Sequence, residues 1–271
     1  MTTEKVHLTG AKETMLLTLY SRALHSRGPA PLLRDPWAEQ AVERIDYDFA
    51  SLRLPGRWPV GAAIRARQFD AFARDWIAER PQSTVLHLGC GLDSRAYRVD
   101  PPATVRWFDV DHPEVIELRR QVYPDRQGCE TIGTSLVEPG WLERVPADLP
   151  VLVLAEGVTM YLPTDGAEAL FAGISARFPG GRLAFDALSR VAVRLSAVDR
   201  AVAATGATLS WGLDDPGDLR RSVPTAELLA EITTPRTPGH ERLPIGIRAA
   251  AAFMEPFPRL RRMNRILLYS F

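Results

Sequence analysis

Cysteine is scarce in this chain of 271 residues, which holds only Cys90 and Cys129. The pair makes neither a disulfide framework nor a metal-ligand spacing. That excludes a small stapled secreted fold and a zinc module, and no metal is expected. It fits a reducing cytosol. Net charge is lacking as well, because 33 basic and 33 acidic side chains cancel. No overall field draws the chain to nucleic acid or to an anionic membrane. Arg259, Arg261, Arg262 and Arg265 cluster near the end, and beside a terminal strand they read as a solvated edge. Long apolar runs are missing too. The run at 151–155 is far too short to span a bilayer, and residues 1–12 lack the apolar core of a signal peptide. A cytoplasmic location is therefore expected. What is present is a 46% hydrophobic share, enough at this length for one large domain or a domain with a cap.

Helical spacing dominates the first part. Leu16, Leu19, Tyr20 and Ala23 share one face of a helix over 15–26, ended by Gly28-Pro29. A second helix is expected over 37–45 and a long one over 60–79. In the long helix Phe69, Phe72 and Trp76 form a buried stripe, and Arg65 stands in line with it while Arg67 and Arg74 project elsewhere. A guanidinium on a core face is costly unless it meets an anion or snorkels to the rim. From Thr84 onward strands and helices alternate. Strands are expected at 84–88, 104–109, 130–133, 151–155, 182–188 and 263–271. Helices are expected at 113–123, after Thr164 as a cap, and along Val191, Leu195, Val198 and Val202. The segment 205–224 reads as irregular, a loop over the site. Such alternation implies an α/β fold, a mainly parallel sheet covered on both faces.

The chemistry gathers at residues 84–111. Val85, Leu86, His87 and Leu88 end abruptly at Gly89, followed by Cys90 and Gly91. Two glycines there let the backbone take positive φ and let a ligand lie directly on it. Ser94 is placed to cap the next helix, whose amides would face the same ligand. Asp109 and Asp111 stand at the end of the second strand, and Asp111 lies 22 residues beyond Gly89. That spacing suits an acid holding a ribose diol, although spacing alone does not choose between the two aspartates. Glu156 leaves the apolar strand 151–155 with no evident local cation, so it calls for either a protein arginine or a cationic ligand group. A ribose, an ammonium and a carboxylate together describe S-adenosylmethionine (SAM). NAD supplies the ribose but no ammonium. An NAD-dependent oxidoreductase remains the second reading, against which Ser94 replaces the third glycine and no Tyr-x-x-x-Lys pair is evident. A SAM-binding regulator without turnover is the third.

Six segments carry a resemblance: Lys5-Val-His-Leu-Thr-Gly, Leu32-Leu-Arg-Asp-Pro, Arg65-Ala-Arg-Gln-Phe-Asp, His87-Leu-Gly-Cys-Gly-Leu-Asp-Ser-Arg, Phe108-Asp-Val-Asp-His-Pro and Glu156-Gly-Val-Thr-Met-Tyr-Leu. In this fixed order they resemble the leucine carboxyl methyltransferase family, in particular its bacterial polyketide O-methyltransferase branch of tetracenomycin type. The resemblance implies a class I SAM-dependent methyltransferase fold, Rossmann-like, with a seven-stranded sheet whose last strand is antiparallel. Residues 263–271 would supply that strand or its neighbour. It also implies a helical N-terminal lid over 1–80, a SAM-binding core over 81–188, a substrate cap over 189–260 and a terminal strand over 261–271. Carried over by motif, Arg65 meets the SAM carboxylate, Gly89 and Gly91 line the cofactor, Asp111 takes the ribose hydroxyls and Glu156 contacts the methionyl end. Ser135-Leu136 stands where many members have Asp-Leu beside adenine, so a neutral hydroxyl replaces a charge there. Arg22 is the nearest match to a first-helix cation that contacts SAM in some relatives. Tyr161 is assigned to the acceptor pocket. His87, on a buried strand, reads as a satisfied core histidine. Arg190 and Arg194 read as a solvated helix face rather than as partners of an anionic substrate. The expected reaction is methyl transfer to an oxygen of a small acceptor, most simply a carboxylate. Phenol O-methylation or C-methylation by the same fold is the alternative.

Overall fold

The computed structural model describes residues 4, 5, 11–52, 54, 56–196 and 208–271. The motif at 5–10, apart from Lys5, and the helix positions Val198 and Val202 lie outside them. A seven-stranded sheet forms the centre, in the order β5-β4-β3-β6-β7-β9-β8. Its strands are β3 (Ser83–Leu88), β4 (Val105–Asp111), β5 (Cys129–Gly133), β6 (Val151–Ala155), β7 (Gly181–Leu188), β8 (Glu227–Thr233) and β9 (Asn264–Ser270). The first five pair in parallel, and β9 runs antiparallel between β7 and β8. A small parallel pair, β1 (Glu4–Lys5) with β2 (Ile45–Asp46), stands apart.

The strand order reverses between β3 and β6, and the crevice at their carboxyl ends is where an open α/β sheet binds its ligand. Both strands are buried along their whole length, and apolar except for His87 and the flanking Ser83 and Thr84. That is the expected composition of strands covered on two faces. One face is covered by α3 (Arg57–Glu79), whose Phe69, Phe72 and Trp76 pack on Val85, Trp107, Leu152 and Ile266. The other is covered by α6 (Thr164–Arg177) through Leu170, Phe171 and Ile174. Helices α1 (Ala11–Ser26) and α2 (Pro36–Arg44) build a separate cluster through Leu16, Leu19, Ala38 and Ala41, which rests on Leu118 and Val122 of α5 (Pro113–Val122). A short α4 (Arg95–Val99) follows the glycine turn, and α7 (Arg190–Ser196), α8 (Ile245–Met254) and α9 (Pro258–Arg261) complete the set.

The structure corrects several expectations. Thr164 is the first helical residue and Pro163 occupies the cap position. Ser94 sits at the cap of α4 but makes no capping bond, and its hydroxyl instead meets Asp35 Oδ1 at 2.5 Å. The described part of 205–224 follows an irregular path, yet Trp211, Leu213, Leu219 and Val223 are core residues, with Trp211 against Phe171 and Phe185. The terminal arginines are not uniformly solvated. Arg265 is 1% exposed, pairs with Glu231 at 3.2 Å and donates to the Leu213 carbonyl at 2.7 Å, and Arg262 pairs with the same Glu231. Among the described residues no helix is long and apolar enough to cross a membrane.

Candidate active site

The glycine turn after β3 takes the backbone shape that its residues permit. Gly89 and Gly91 have φ of +56° and +49°. A Cβ on Gly89 would stand 2.3 Å from Val158 Cγ2, so the turn also needs the missing side chain for space. The second glycine is tied to the end of β4, because Gly91 N–H donates to Asp111 Oδ2 at 2.7 Å. The His112 N–H donates to Asp111 Oδ1 at 2.7 Å. Burial raises the Asp111 pKa above the usual carboxylate value, and the two amides oppose that shift. Each oxygen keeps a further lone pair for a ligand hydroxyl. Asp109 turns the other way. It accepts from Arg119 at 2.6 Å, from the Trp107 indole at 3.0 Å and from His87 Nδ1 at 2.8 Å. Burial works against its charge, but Arg119 and His87 prevail and hold its pKa at about 2.

Glu156 has its cations after all. Arg65 Nε donates to its Oε1 at 2.9 Å, and Arg95 Nη2 donates to its Oε2. Arg65 also donates through Nη1 to Asp186 Oδ2 at 3.0 Å. The guanidinium in line with the stripe of α3 thus meets protein carboxylates. The remaining N–H groups of Arg65 have no bond among the described residues, and its side chain is 31% exposed. Asp186 holds the other side of the turn, since Gly157 N–H donates to its Oδ1 at 2.7 Å. Burial raises the Asp186 pKa, with Arg65 opposing.

A dense ionic layer lies beneath. Arg95, fully buried, reaches Asp70 at 2.9 Å, Asp93 at 2.9 Å and His87 Nε2 at 2.9 Å. An arginine can only donate, so His87 Nε2 accepts and its ring proton sits on Nδ1 facing Asp109. His87 is therefore a satisfied core residue. Arg98 joins Asp70, Asp93 and Asp35, each at 2.8 Å, and Arg22 reaches Asp35 at 3.2 Å and the Leu92 carbonyl at 2.8 Å.

The glycine turn, Asp111, Glu156, Arg65 and Asp186 border one cavity of about 530 Å³ at the carboxyl edge of the sheet. Arg22, Arg65, Gly89, Gly91, Asp111, Ser135, Leu136, Glu156 and Tyr161 all line it. Burial raises the Tyr161 phenol pKa, which keeps it neutral. Arg190 and Arg194 line a separate cavity of about 200 Å³ between α6, α7 and 210–222, away from the glycine turn. Residue-level reading missed Arg95 and Asp186. The signal was available, as Asp186 interrupts an apolar strand and Arg95 closes the glycine motif, and neither charge can be buried unpaired.

Comparison with known proteins decides the family. Residues 15–175 match the leucine carboxyl methyltransferase family. The chain is 40% identical over 268 residues to the tetracenomycin polyketide synthesis O-methyltransferase TcmP of Streptomyces glaucescens, covering 99% of both. The chain belongs to the leucine carboxyl methyltransferase family. It is a SAM-dependent methyltransferase. An S-adenosyl-L-methionine-dependent methyltransferase of Gibberella zeae is 34% identical over 241 residues, 81% of each chain. Two solved structures show the same fold. One from Thermobifida fusca aligns with a TM-score of 0.56 at 15% identity over 93% of each chain. A DUF574 family protein from Streptomyces avermitilis aligns with a TM-score of 0.54 at 13% identity, over 94% of this chain and 96% of the other.

The residues present fit the cofactor of this methyltransferase. The turn brings backbone bare of side chains at Gly89 and Gly91 to the cavity wall, Asp111 offers two acceptor oxygens, and Arg65 offers unused donors. Gly89→Ala tests the turn. A left-handed φ costs an L-residue about 1–2 kcal/mol, and the overlap with Val158 adds to it. A lower melting temperature together with lost SAM binding is the expected outcome by thermal shift. Adding Val158→Ala should recover part of the melting temperature, because it removes the overlap and leaves the φ strain.

Proposed function

We propose that this methyltransferase acts on a carboxylate oxygen of a small apolar acid, a polyketide or peptide natural product, and releases a methyl ester. The observation carrying this reading is that the titratable side chains around the turn are already committed. His87 is held by Asp109 and Arg95, Glu156 by Arg65 and Arg95, and Asp186 by Arg65 and the Gly157 amide. His112 is exposed at the start of α5, next to Asp111 on the side assigned to ribose. A carboxylate acceptor is ionised at neutral pH and asks for no base, whereas a phenol, with pKa about 10, needs one. Relatedness to an O-methyltransferase of polyketide synthesis supports the same acceptor class.

In this reading SAM supplies an electrophilic methyl group when bound. Asp111 holds the ribose, Gly89 and Gly91 admit the ligand to the backbone, Arg65 and Arg22 face the methionyl carboxylate, and Glu156 orients Arg65 beside that end. Ser135 and Leu136 border adenine. Tyr161, with Met160 and Leu162 beside it, lines the acceptor side of the cavity. The helices α1 and α3 act as a lid through Met15, Arg22, Trp58 and Arg65, and the segment beyond β7 acts as the substrate cap. Holding two reactants in line is worth about 7–11 kcal/mol of barrier, so alignment in a dry cavity suffices for an acceptor that is already a nucleophile. The test is the pH profile of single-turnover rate. It should stay nearly flat from about pH 6.5 to 9, and His112→Ala should keep most of the rate. A rate that climbs tenfold per pH unit and collapses in that variant would contradict the carboxylate reading.

A further inference from the structure

A second cavity of about 320 Å³ lies behind the first, between α3, β8, β9 and α8. Thr18, Trp58, Arg65, Asp186 and Asn264 line both cavities, so the two share a wall beside the Arg65–Asp186 pair. The interior is built from Ile64, Ile232, Leu243, Ile247 and Ile266. An apolar chamber with a few placed polar groups is the usual form of a small-molecule site. Its charged groups are Arg57, Arg65, Arg265 and Asp186. Arg265 is neutralised by Glu231 at 3.2 Å, and Arg65 by Glu156 and Asp186. Arg57 lines only this cavity, is exposed, and has no carboxylate partner among the described residues. At the shared wall the Trp58 indole N–H and the Asn264 amide likewise have no protein hydrogen-bond partner among the described residues. The outer side is apolar again, with Ile245 81% exposed and Phe253 71% exposed on α8.

We propose that this second cavity is the acceptor subsite, and that it takes an apolar carboxylic acid of aromatic-ring size with its carboxylate at the shared wall. The proposal rests on the carboxylate reading above and adds the place and the recognising groups. The hydrocarbon body fills the space among the isoleucines. The acid head meets Asn264 and Trp58, next to the cofactor cavity. Arg57 raises the local positive potential and draws an anion in. An acceptor longer than the cavity lies against α8, which explains large apolar side chains left in solvent there.

The test uses the full chain saturated with S-adenosylhomocysteine, with 2-naphthoate as probe and 2-naphthamide as its neutral counterpart, read by calorimetry. The acid should bind the wild type more tightly than the amide. Ile247→Trp, at a position 37% exposed, fills the chamber and should weaken both probes at least about tenfold without changing affinity for S-adenosylhomocysteine. Asn264→Asp keeps the shape and adds a negative charge at the wall. It should weaken the acid at least about tenfold and change the amide less than about twofold. A purely structural role for Asn264 would move both probes alike, and that result overturns the proposal. So does an acid that fails to bind the wild type, binds no better than the amide, or is insensitive to Ile247→Trp. Product analysis separates this from the functional reading: a methyl ester formed equally well by both variants refutes the subsite alone. Acid binding with the predicted sensitivities but no ester formed refutes the carboxylate reading, and with it the acceptor role, and leaves the cavity only as an acid-binding site.

Discussion

Asp111→Ala is expected to weaken SAM by about a hundredfold or more. The carboxylate already takes one amide on each oxygen, from Gly91 and His112, both at 2.7 Å. Its remaining lone pairs face the cavity, and a hydrogen bond to a charged acceptor is worth about 1.5–3 kcal/mol. Two such bonds to a ribose diol exceed the free energy of a hundredfold, about 2.7 kcal/mol, even at their lower limit. Calorimetry with SAM reads the result directly. Asp109→Ala is the control, and the structure predicts a different failure for it. Asp109 is 3% exposed and binds Arg119, so its loss strands a buried guanidinium and lowers stability far more than cofactor affinity. Equal loss of SAM affinity in two folded variants would mean that the ribose acid is misassigned.

Arg95→Ala is expected to cost about 3–5 kcal/mol of stability, because it leaves buried carboxylates without their cation. Asp70 and Asp93 face Arg95 directly and Glu156 shares it with Arg65. For a chain of this size the melting temperature should fall by about 10 °C. The pH dependence gives the mechanism its sign. Burial opposes ionisation of Asp93 and Asp70, yet Arg95 and Arg98 overcome it and hold both pKa values below the ordinary one. Such depressed groups contribute stability that is fully present above the unfolded value, about 3.9, and is lost as pH falls through the folded value. In the variant these carboxylates are no longer held as strongly in the charged form. The gap between wild type and Arg95→Ala should therefore stay wide from pH 7 down to about 4 and narrow as the pH falls further. A gap independent of pH in thermal melts would assign the loss to packing instead.

The elements buried on both faces were legible because burial leaves a compositional trace. Residues 151–155 are a strand in the sequence and in the structure, and the glycine turn sits where an apolar run stops. The edge strand β8 left no such trace. Glu227, Leu228 and Leu229 are exposed, the run Glu-Leu-Leu-Ala-Glu is made of helix formers, and a register shift lies between Leu228 and Ala230. Pairing with β9 decides its conformation, and that is a tertiary effect. At the site, the residues singled out in the sequence line one cavity, but their partners were not legible. Glu156 carries no cation nearby in sequence, since Arg65 and Arg95 arrive from α3 and α4. Arg265 looked like a surface charge among others, and only the fold shows the carbonyls of Leu213 and Asp214 that it closes over.

The most direct test of the account is the chemistry of the transferred methyl group. The chain is incubated with SAM carrying an isotopic methyl label and with matched aromatic carboxylic acids and phenols, and the labelled products are identified by mass and treated with mild alkali. The account predicts label in the acids alone, as methyl esters that alkali hydrolyses. Label that survives alkali, as a methyl ether on a phenol or a methyl group on carbon, would contradict it.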